Sequence, residues 1–425
     1  GGGKIRLAPA LTALSGPAAG VVGARAIAAA CGIEDIITVD IGGTSADICL
    51  LSGGQIVLTQ RGSVGEWPLP LPMVDMVTIG AGGGSVARVV DGVLSVGPES
   101  AGADPGPAAY GHGGREPTVT DAHVVLGHLP ARLLGGRMAL DAEAARMAVR
   151  DGVAGPLGLT VEVAARGILA IADNHMVGAV RVVSVERGHD PRGFTLVPFG
   201  GAGPLHGCAL ADLLGIRRLL IPPAPGILCA DGLLAAELRA EFSQALPRAG
   251  PPDPEAAEPI LAALDSQAVE WFVAEGVAKQ DRTARRVALM RYRGQGSELA
   301  VPWAETVSAL EENFHDAHRA LFGFALGSAV ELITLRIEAR GAARTPAPPA
   351  LAERARPEPD QHARVVLADG PCDVPVLERA QFGAGAEIEG PAILTQLDTT
   401  TLVAPGWSGT VHPSGAILME RKAAP

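Results

Sequence analysis

Ile36-Ile37-Thr38-Val39-Asp40-Ile41-Gly42-Gly43-Thr44-Ser45-Ala46-Asp47-Ile48-Cys49-Leu50 joins two apolar runs through an Asp, a Gly pair and two hydroxyls. Runs rich in Ile and Val around a Gly-Gly turn are strand-turn-strand signals, and paired glycines supply the positive φ that tight hairpins need. With no Cβ in the way, the N–H groups of Gly42, Gly43 and Thr44 can approach an anion closely and hydrogen-bond it. Asp40, ending the first strand, is placed to hold Mg²⁺ through water, and Thr44 and Ser45 add hydroxyl donors. The loop is neither a Walker P-loop nor the dinucleotide G-x-G-x-x-G, because both of those open a helix and this one opens a second strand. An ordinary Gly-Gly hairpin with polar capping residues fits the same stretch, so the rest of the chain has to decide.

Composition narrows the choice. The 425 residues are 48% hydrophobic and 19% charged, enough for two or three domains with a sizeable core and incompatible with wholesale disorder. A net charge of -12 argues against general affinity for nucleic acid or an anionic membrane, so any phosphate site is local. Aromatics make up 3%, which leaves the core to Ala, Val, Leu and Ile and argues against stacking platforms for bases. Cys31, Cys49, Cys208, Cys229 and Cys372 lack C-x-x-C spacing and read as reduced core residues, not as a disulfide frame or zinc site. No uninterrupted apolar run approaches the roughly 20 residues of a membrane span. Gly1-Gly2-Gly3-Lys4 is no signal peptide. The expected location is cytoplasmic, without nucleic-acid or membrane partners.

N-terminal to the hairpin, Ser15-Gly16-Pro17 followed by an Ala/Val-rich run to Cys31-Gly32 predicts a helix, with a cap, an early Pro and a terminal Gly. Its small residues, Ala18, Ala19, Gly20, Gly23 and Ala24, suit close packing on a sheet or beside a bound nucleotide. Residues 55 to 135 are dense in Gly and Pro, including the Gly80 to Ser85 loop, and read as a mostly irregular, β-containing insertion. Helical periodicity returns over Asp141 to Arg150 and Val161 to Arg187, where Gly188-His189-Asp190-Pro191 stops it. A strand, Phe194 to Phe199, then meets Gly200-Gly201-Ala202-Gly203-Pro204-Leu205-His206 and a helix from about Leu205 to Leu214, which makes a second candidate anion or nucleotide site. Pro-rich breaks at Leu246 to Pro259 and Arg344 to Pro359 divide the chain into expected domains 1–245, 246–343 and 344–425, the last a small β-rich one.

The combination of a D-x-G-G-T hairpin, an S-G-P-A-A-G helix before it and an F-G-G-A-G-P-L-H turn after a long helix resembles the large ATP-dependent subunit of the hydantoinase, 5-oxoprolinase and acetone carboxylase family. The resemblance continues through Ser100 to Gly114, Glu186 to Pro191, Arg291-Tyr292-Arg293-Gly294-Gln295 and Glu389-Gly390-Pro391-Ala392-Ile393, and so covers nearly the whole chain. It implies an α/β, actin-like or sugar-kinase-like fold in which two lobes clamp ATP and Mg²⁺. It also implies that Gly42, Gly43, Thr44, Ser45 and Asp47 hold phosphates, that Asp40 binds the metal, and that Gly200, Gly201 and Gly203 wall the nucleotide. His206 and Asp75 are the catalytic candidates added to Asp40. Members usually carry an N-terminal lobe with its own D-x-G-G-T loop, and only one such loop occurs here. The resemblance therefore implies half an ATP site, completed by a separate chain or an upstream segment.

The implied reaction is phosphorylation of a carbonyl or amide oxygen, followed by hydrolysis of a cyclic amide with a hydantoinase B-like partner subunit. The same chemistry serves a ketone carboxylase with a carboxylase α-like partner, and either partner is expected to hold the divalent metal that activates the substrate. A non-catalytic nucleotide-binding scaffold is the third alternative. Asp104 and Asp121 sit where local capping is usual. His123, His128, His315 and His318 lack the spacing that would make them metal ligands.

Overall fold

The computed structural model describes residues 15–59, 63–64, 67–68, 73–235, 237–342, 350–354, 356–359 and 361–422. Gly1 to Lys4 and part of the Pro-rich break after Arg344 lie outside the described residues.

A mixed nine-stranded sheet organises the larger of two compact units. Its centre is parallel: Ile36–Ile41 pairs with Thr195–Phe199, which pairs with Arg218–Ile221. Ala46–Ser52 returns antiparallel to Ile36–Ile41, with Gln55–Ile56 and Met76–Ile79 both pairing to it. On the other side, Ile417–Arg421 runs antiparallel to Arg218–Ile221 and is followed by Trp407–Val411 and Glu387–Glu389.

Because alternate strand residues face opposite sides, the sheet buries two clusters. Ile37, Val39, Ile41 and Ile48 pack with Ala165, Ile168, Ala172 and Val180 of the helix Val161–Val183 and with Leu210 of the helix Gly203–Leu214. Ile36, Cys49, Leu51, Val197 and Phe199 pack with Val21, Ala24 and Ala28 of the helix Ser15–Ala30 and with Leu228 of the helix Leu228–Ala235. The small residues of Ser15–Ala30 find their use there. A Cβ on Gly20 would lie 2.7 Å from the Phe199 ring and 2.8 Å from Cys229 Sγ, and one on Gly232 would lie 1.8 Å from the Ala19 carbonyl oxygen.

Val161–Arg187 is a helix long and apolar enough by length and composition to cross a membrane, although no uninterrupted apolar run of that length occurs in it. Isolated charges such as Arg166 and Asp173 interrupt the run in sequence. In the fold they fall on a helix half of whose apolar window is buried inside the protein.

The Gly/Pro-rich insertion is more ordered than its composition predicts. It holds an antiparallel pair, Ser85–Val90 with Val93–Ser100, and a helix, Val119–Val125, that periodicity did not reveal because it is only seven residues long. The helix rests on a capping box, Thr118 with Asp121. The fully buried Asp121 carboxylate accepts from Thr118 N (2.9 Å), Thr118 Oγ1 (2.7 Å), Ala109 N (2.7 Å) and Ala108 N (3.3 Å). Burial pushes its pKa up even so. Thr118→Ala removes the cap and one charge-assisted bond, with an expected loss of about 1–2 kcal/mol. A guanidinium denaturation midpoint checks it, and an unchanged midpoint would contradict the role.

The second unit, residues 236–345, has its own core. Leu238–Gly250, Val330–Gly341, Arg282–Tyr292 and Leu299–Pro302 form an antiparallel sheet in that order. Leu261 and Phe272 of the helix Pro254–Ala274 and Leu310 and Phe314 of Val307–Phe322 pack with Leu335, Ile337 and Tyr292 in that core. The Pro-rich stretch from Leu246 is not a break. The strand runs through Pro247 to Gly250, and Pro254 sits in the first turn of the helix, where its missing N–H costs nothing.

The observed units also divide the chain differently from the expected domains. Residues 346–425 group with 10–235, because Ile417–Arg421 joins the large sheet through Arg218–Ile221, a pairing that no local signal announces. The remaining C-terminal strands, Gln361–Leu367, Gly370–Glu378, Ala392–Thr395 and Thr400–Val403, form a four-stranded sheet.

Candidate functional site

Asp40 and Asp47 are direct partners across the antiparallel pair, so their side chains share one face. Parity along the strands puts them on the face of Ile36, Cys49 and Leu51, next to the helix Leu228–Ala235. That helix supplies the Cys229 thiol, which donates to Asp40 Oδ2 at 3.3 Å, while Thr78 Oγ1 donates to Asp47 Oδ1 at 2.5 Å. Burial raises the pKa of both carboxyls, and for Asp40 the charge of Asp47 adds to the shift. Two adjacent carboxylates whose hydrogen-bond partners are a thiol and a hydroxyl suit a hard divalent cation, which would relieve the repulsion.

The hairpin tip departs from the expected geometry. Neither Gly42 nor Gly43 has a left-handed φ, because the connection is a four-residue turn, Gly42 to Ser45, closed by Gly42 N donating to the Ser45 carbonyl at 3.1 Å. The N–H of Gly42 is therefore engaged inside the turn. The tip carbonyls are held from the insertion: Gly83 N donates to Gly42 O at 2.9 Å and Gly84 N to Gly43 O at 2.7 Å. Gly82 has to be glycine, since a Cβ there would lie 2.7 Å from Gly42 O. With its carbonyls tied down, the tip presents the backbone of exposed Gly43 and Thr44 and the half-buried Ser45 to solvent, and open space lies where a Cβ on Gly43 would stand.

The second glycine segment is stitched to the first. Ala202 N donates to Ile41 O at 3.0 Å and Gly200 N to Pro225 O at 2.9 Å. Gly200 has φ +82, and a Cβ on it would lie 2.4 Å from Asp40 Oδ1 and 2.5 Å from Ile41 O. Gly203 starts the helix Gly203–Leu214 with Pro204 in its first turn and no side-chain cap, which leaves the positive end of the helix dipole open.

A cavity of about 250 Å³ lies against both segments, touching Gly42, Gly43, Gly201, Ala202 and Leu205. Tyr110 and Thr120 of the insertion complete one wall, and Gln396 to Thr400 form another. Thr399 Oγ1 ties that wall to the turn, donating to Gly201 O at 2.8 Å, and Asp398 accepts from Gly226 N at 2.7 Å. Asp40 and Asp47 stand one strand pair back from the hairpin turn and do not line the cavity.

Two candidates stand apart from this cluster. Asp75 is taken by the Arg187 guanidinium through both carboxylate oxygens. It precedes Met76, whose partner is Cys49, so it lies towards the end of the sheet away from the tip. His206 is buried and turned from the cavity, its Nδ1 2.6 Å from Asp173 Oδ1. Sequence reasoning missed Cys229, Thr78 and the Gln396 to Thr400 wall. The Gly80 to Ser85 run was the one visible signal for the tip's supporting loop.

Residues 3–242 match the family model described as Hydantoinase/oxoprolinase, and the chain belongs to that family. It is 37% identical over 418 residues to caprolactamase subunit alpha of Pseudomonas jessenii, covering 94% of this chain and 60% of that protein. In three dimensions it resembles a nucleotide-free acetone carboxylase structure described in connection with ATP-dependent acetone carboxylation, with TM-score 0.86 at 26% identity over 96% of this chain and 61% of that one. It also resembles the ATP-dependent caprolactamase from Pseudomonas jessenii, with TM-score 0.74 at 36% identity over 96% and 62%. The chain thus spans about three fifths of the length of these relatives.

Proposed function

We propose that the larger unit is an actin-like nucleotide-binding lobe of an ATP-dependent enzyme that phosphorylates the oxygen of a cyclic amide, a lactam or hydantoin, for ring-opening hydrolysis with a partner subunit in the cytoplasm. The observation that carries this reading is the junction of the two glycine segments, where the exposed Gly43–Thr44 backbone and the open end of the Gly203–Leu214 helix meet beside a cavity. Gly43 and Thr44 would donate backbone N–H bonds to phosphate oxygens, with Ser45 adding its hydroxyl. Asp40 and Asp47 would hold Mg²⁺, and the Gly201 to Leu205 wall would take the nucleoside. ATP supplies the phosphoryl group that turns an unreactive amide oxygen into a leaving group. The chain's own work is positioning and charge neutralisation, which is most of what phosphoryl transfer asks of a protein. The part of the relatives' length that this chain does not span would supply the opposite jaw.

Ketone carboxylation is the second reading, favoured by the higher TM-score against acetone carboxylase. Calorimetry with MgADP on the chain, then phosphate release from ATP by the assembled enzyme with a panel of lactams, hydantoins and ketones, tests both. Turnover driven by a lactam or hydantoin supports hydrolysis, and turnover that requires bicarbonate and a ketone replaces it with carboxylation. No MgADP binding and no stimulated turnover would sink the nucleotide reading.

A further inference from the structure

Four buried polar side chains behind the cavity form one line of contacts. Asp173 Oδ1 lies 2.6 Å from His206 Nδ1, and His206 Nε2 lies 3.2 Å from His123 Nε2. His123 Nδ1 lies 3.0 Å from His128 Nδ1, and His128 Nε2 lies 3.2 Å from the Val366 carbonyl oxygen. All four residues are buried, at most 7% exposed. The line starts on the helix Val161–Val183, crosses Gly203–Leu214 and Val119–Val125, and ends on the strand Gln361–Leu367.

Proton counting constrains it. The carboxylate at one end and the carbonyl at the other both accept. Four contacts between two acceptors need four hydrogens, and three neutral imidazoles carry three. With only three, one contact would set two lone pairs face to face in a buried site, at the full desolvation cost of an unsatisfied group. We propose that Asp173, His206, His123 and His128 are one positioning unit that holds four protons, the fourth shared between Asp173 and His206, and that it sets the walls of the neighbouring cavity.

Burial pushes the pKa of both His123 and His128 down, with neighbouring imidazoles acting in the same direction, His128 to about 4, so these two rings are neutral. His123 then carries its proton on Nδ1 and His128 on Nε2, every N–H points from Asp173 towards Val366, and the extra proton is left to the Asp173–His206 contact. The other charged groups of these elements are engaged elsewhere or exposed. Asp121 faces the N–H groups of Ala108, Ala109 and Thr118; Asp212 pairs with Arg421; Glu162 pairs with Arg146. His175, Arg181 and His362 are exposed. Leu205 and Leu129, the sequence neighbours of His206 and His128, line the cavity, as does Thr120 in the first turn of the helix bearing His123. The consequence for nucleotide affinity rests on the function proposed above; the proton count does not.

Nitrogen-15 NMR of the histidine rings in the full chain at about pH 7 is the test, because tautomers report proton positions directly. Expected are His123 protonated at Nδ1 alone, His128 at Nε2 alone and His206 protonated at Nε2. In Asp173→Asn the amide becomes the donor to His206 Nδ1, so all three rings are neutral, the direction of the line is kept, and the methyl resonances of Leu129 and Leu205 stay in place. His123→Phe breaks the line, displaces those resonances and weakens MgADP about three- to thirtyfold. The opposite tautomer at His123 or His128, or an unprotonated His206 Nε2, overturns the inference whatever the nucleotide affinity. Unmoved methyl resonances in His123→Phe overturn the positioning role. Expected tautomers and methyl shifts in a chain that binds no MgADP leave the unit standing and count against the nucleotide reading alone.

Discussion

Asp40→Asn is expected to lower ATP turnover of the assembled enzyme by about a hundredfold or more, yet to raise the melting temperature of the chain when metal and nucleotide are absent. Both effects come from the same carboxylate. Asp40 faces Asp47 across the strand pair, and burial holds both carboxyls above their usual range. A carboxyl whose pKa rises on folding binds more protons folded than unfolded between the two values. Stability therefore falls as pH rises through that window, and the loss is complete above the folded value. The Asn variant keeps an acceptor for the Cys229 thiol and carries no charge, so it escapes the loss. Its melting-temperature advantage should grow as pH rises from about 4, level off, and shrink when Mg²⁺ stabilises the wild type by binding its folded state. Scanning calorimetry with and without Mg²⁺, beside turnover assays, reads both arms. Full turnover in the variant would assign the lobe a scaffold role, and a lower melting temperature at every pH would show that the carboxylate is held for stability.

Gly200→Ala should cost at least about 2 kcal/mol and abolish MgADP binding, while Gly201→Ala one residue on stays within about 0.5 kcal/mol of wild type. Gly200 combines a left-handed φ with a Cβ position that falls on Asp40 Oδ1 and the Ile41 carbonyl. Any side chain there forces apart the two segments that Ala202 N and Ile41 O join. Gly201 has no atom within 4 Å of its Cβ position and no left-handed φ, so the pair separates backbone necessity from glycine content. Denaturant midpoints at constant slope give the comparison. Equal losses in the two variants would mean that the turn tolerates displacement and that the contact between the segments is incidental.

Elements with a strong local cause were legible in advance. The hairpin Ile36–Ile41 with Ala46–Ser52 and the Gly200 turn between strand and helix follow from apolar runs broken by glycine and proline. The helix Ser15–Ala30 shows the same through its early Pro17 and the Gly32 past its end. The φ of Gly42 and Gly43 was misjudged because a Gly-Gly pair suggests a two-residue turn, and the sequence does not show that Thr44 and Ser45 belong to it. His206, beside the glycine turn in sequence, invites a role in the site. A helix turns each successive residue by about 100°, and that rotation aims Leu205 at the cavity and His206 at Asp173.

Local stereochemistry and the family's motifs were thus enough to name the α/β class, the family and the two glycine segments. Tertiary structure decided which groups complete them. Cys229 reaches Asp40 across 189 residues of chain, His206 meets His123 across 83, Arg187 removes Asp75 across 112, and Thr399 closes on Gly201 across 198. Strand and helix signals act over a few residues, through backbone sterics and side-chain periodicity. Contacts at these separations exist only after the sheet has ordered its strands, and nothing in the spacing of the residues records that order.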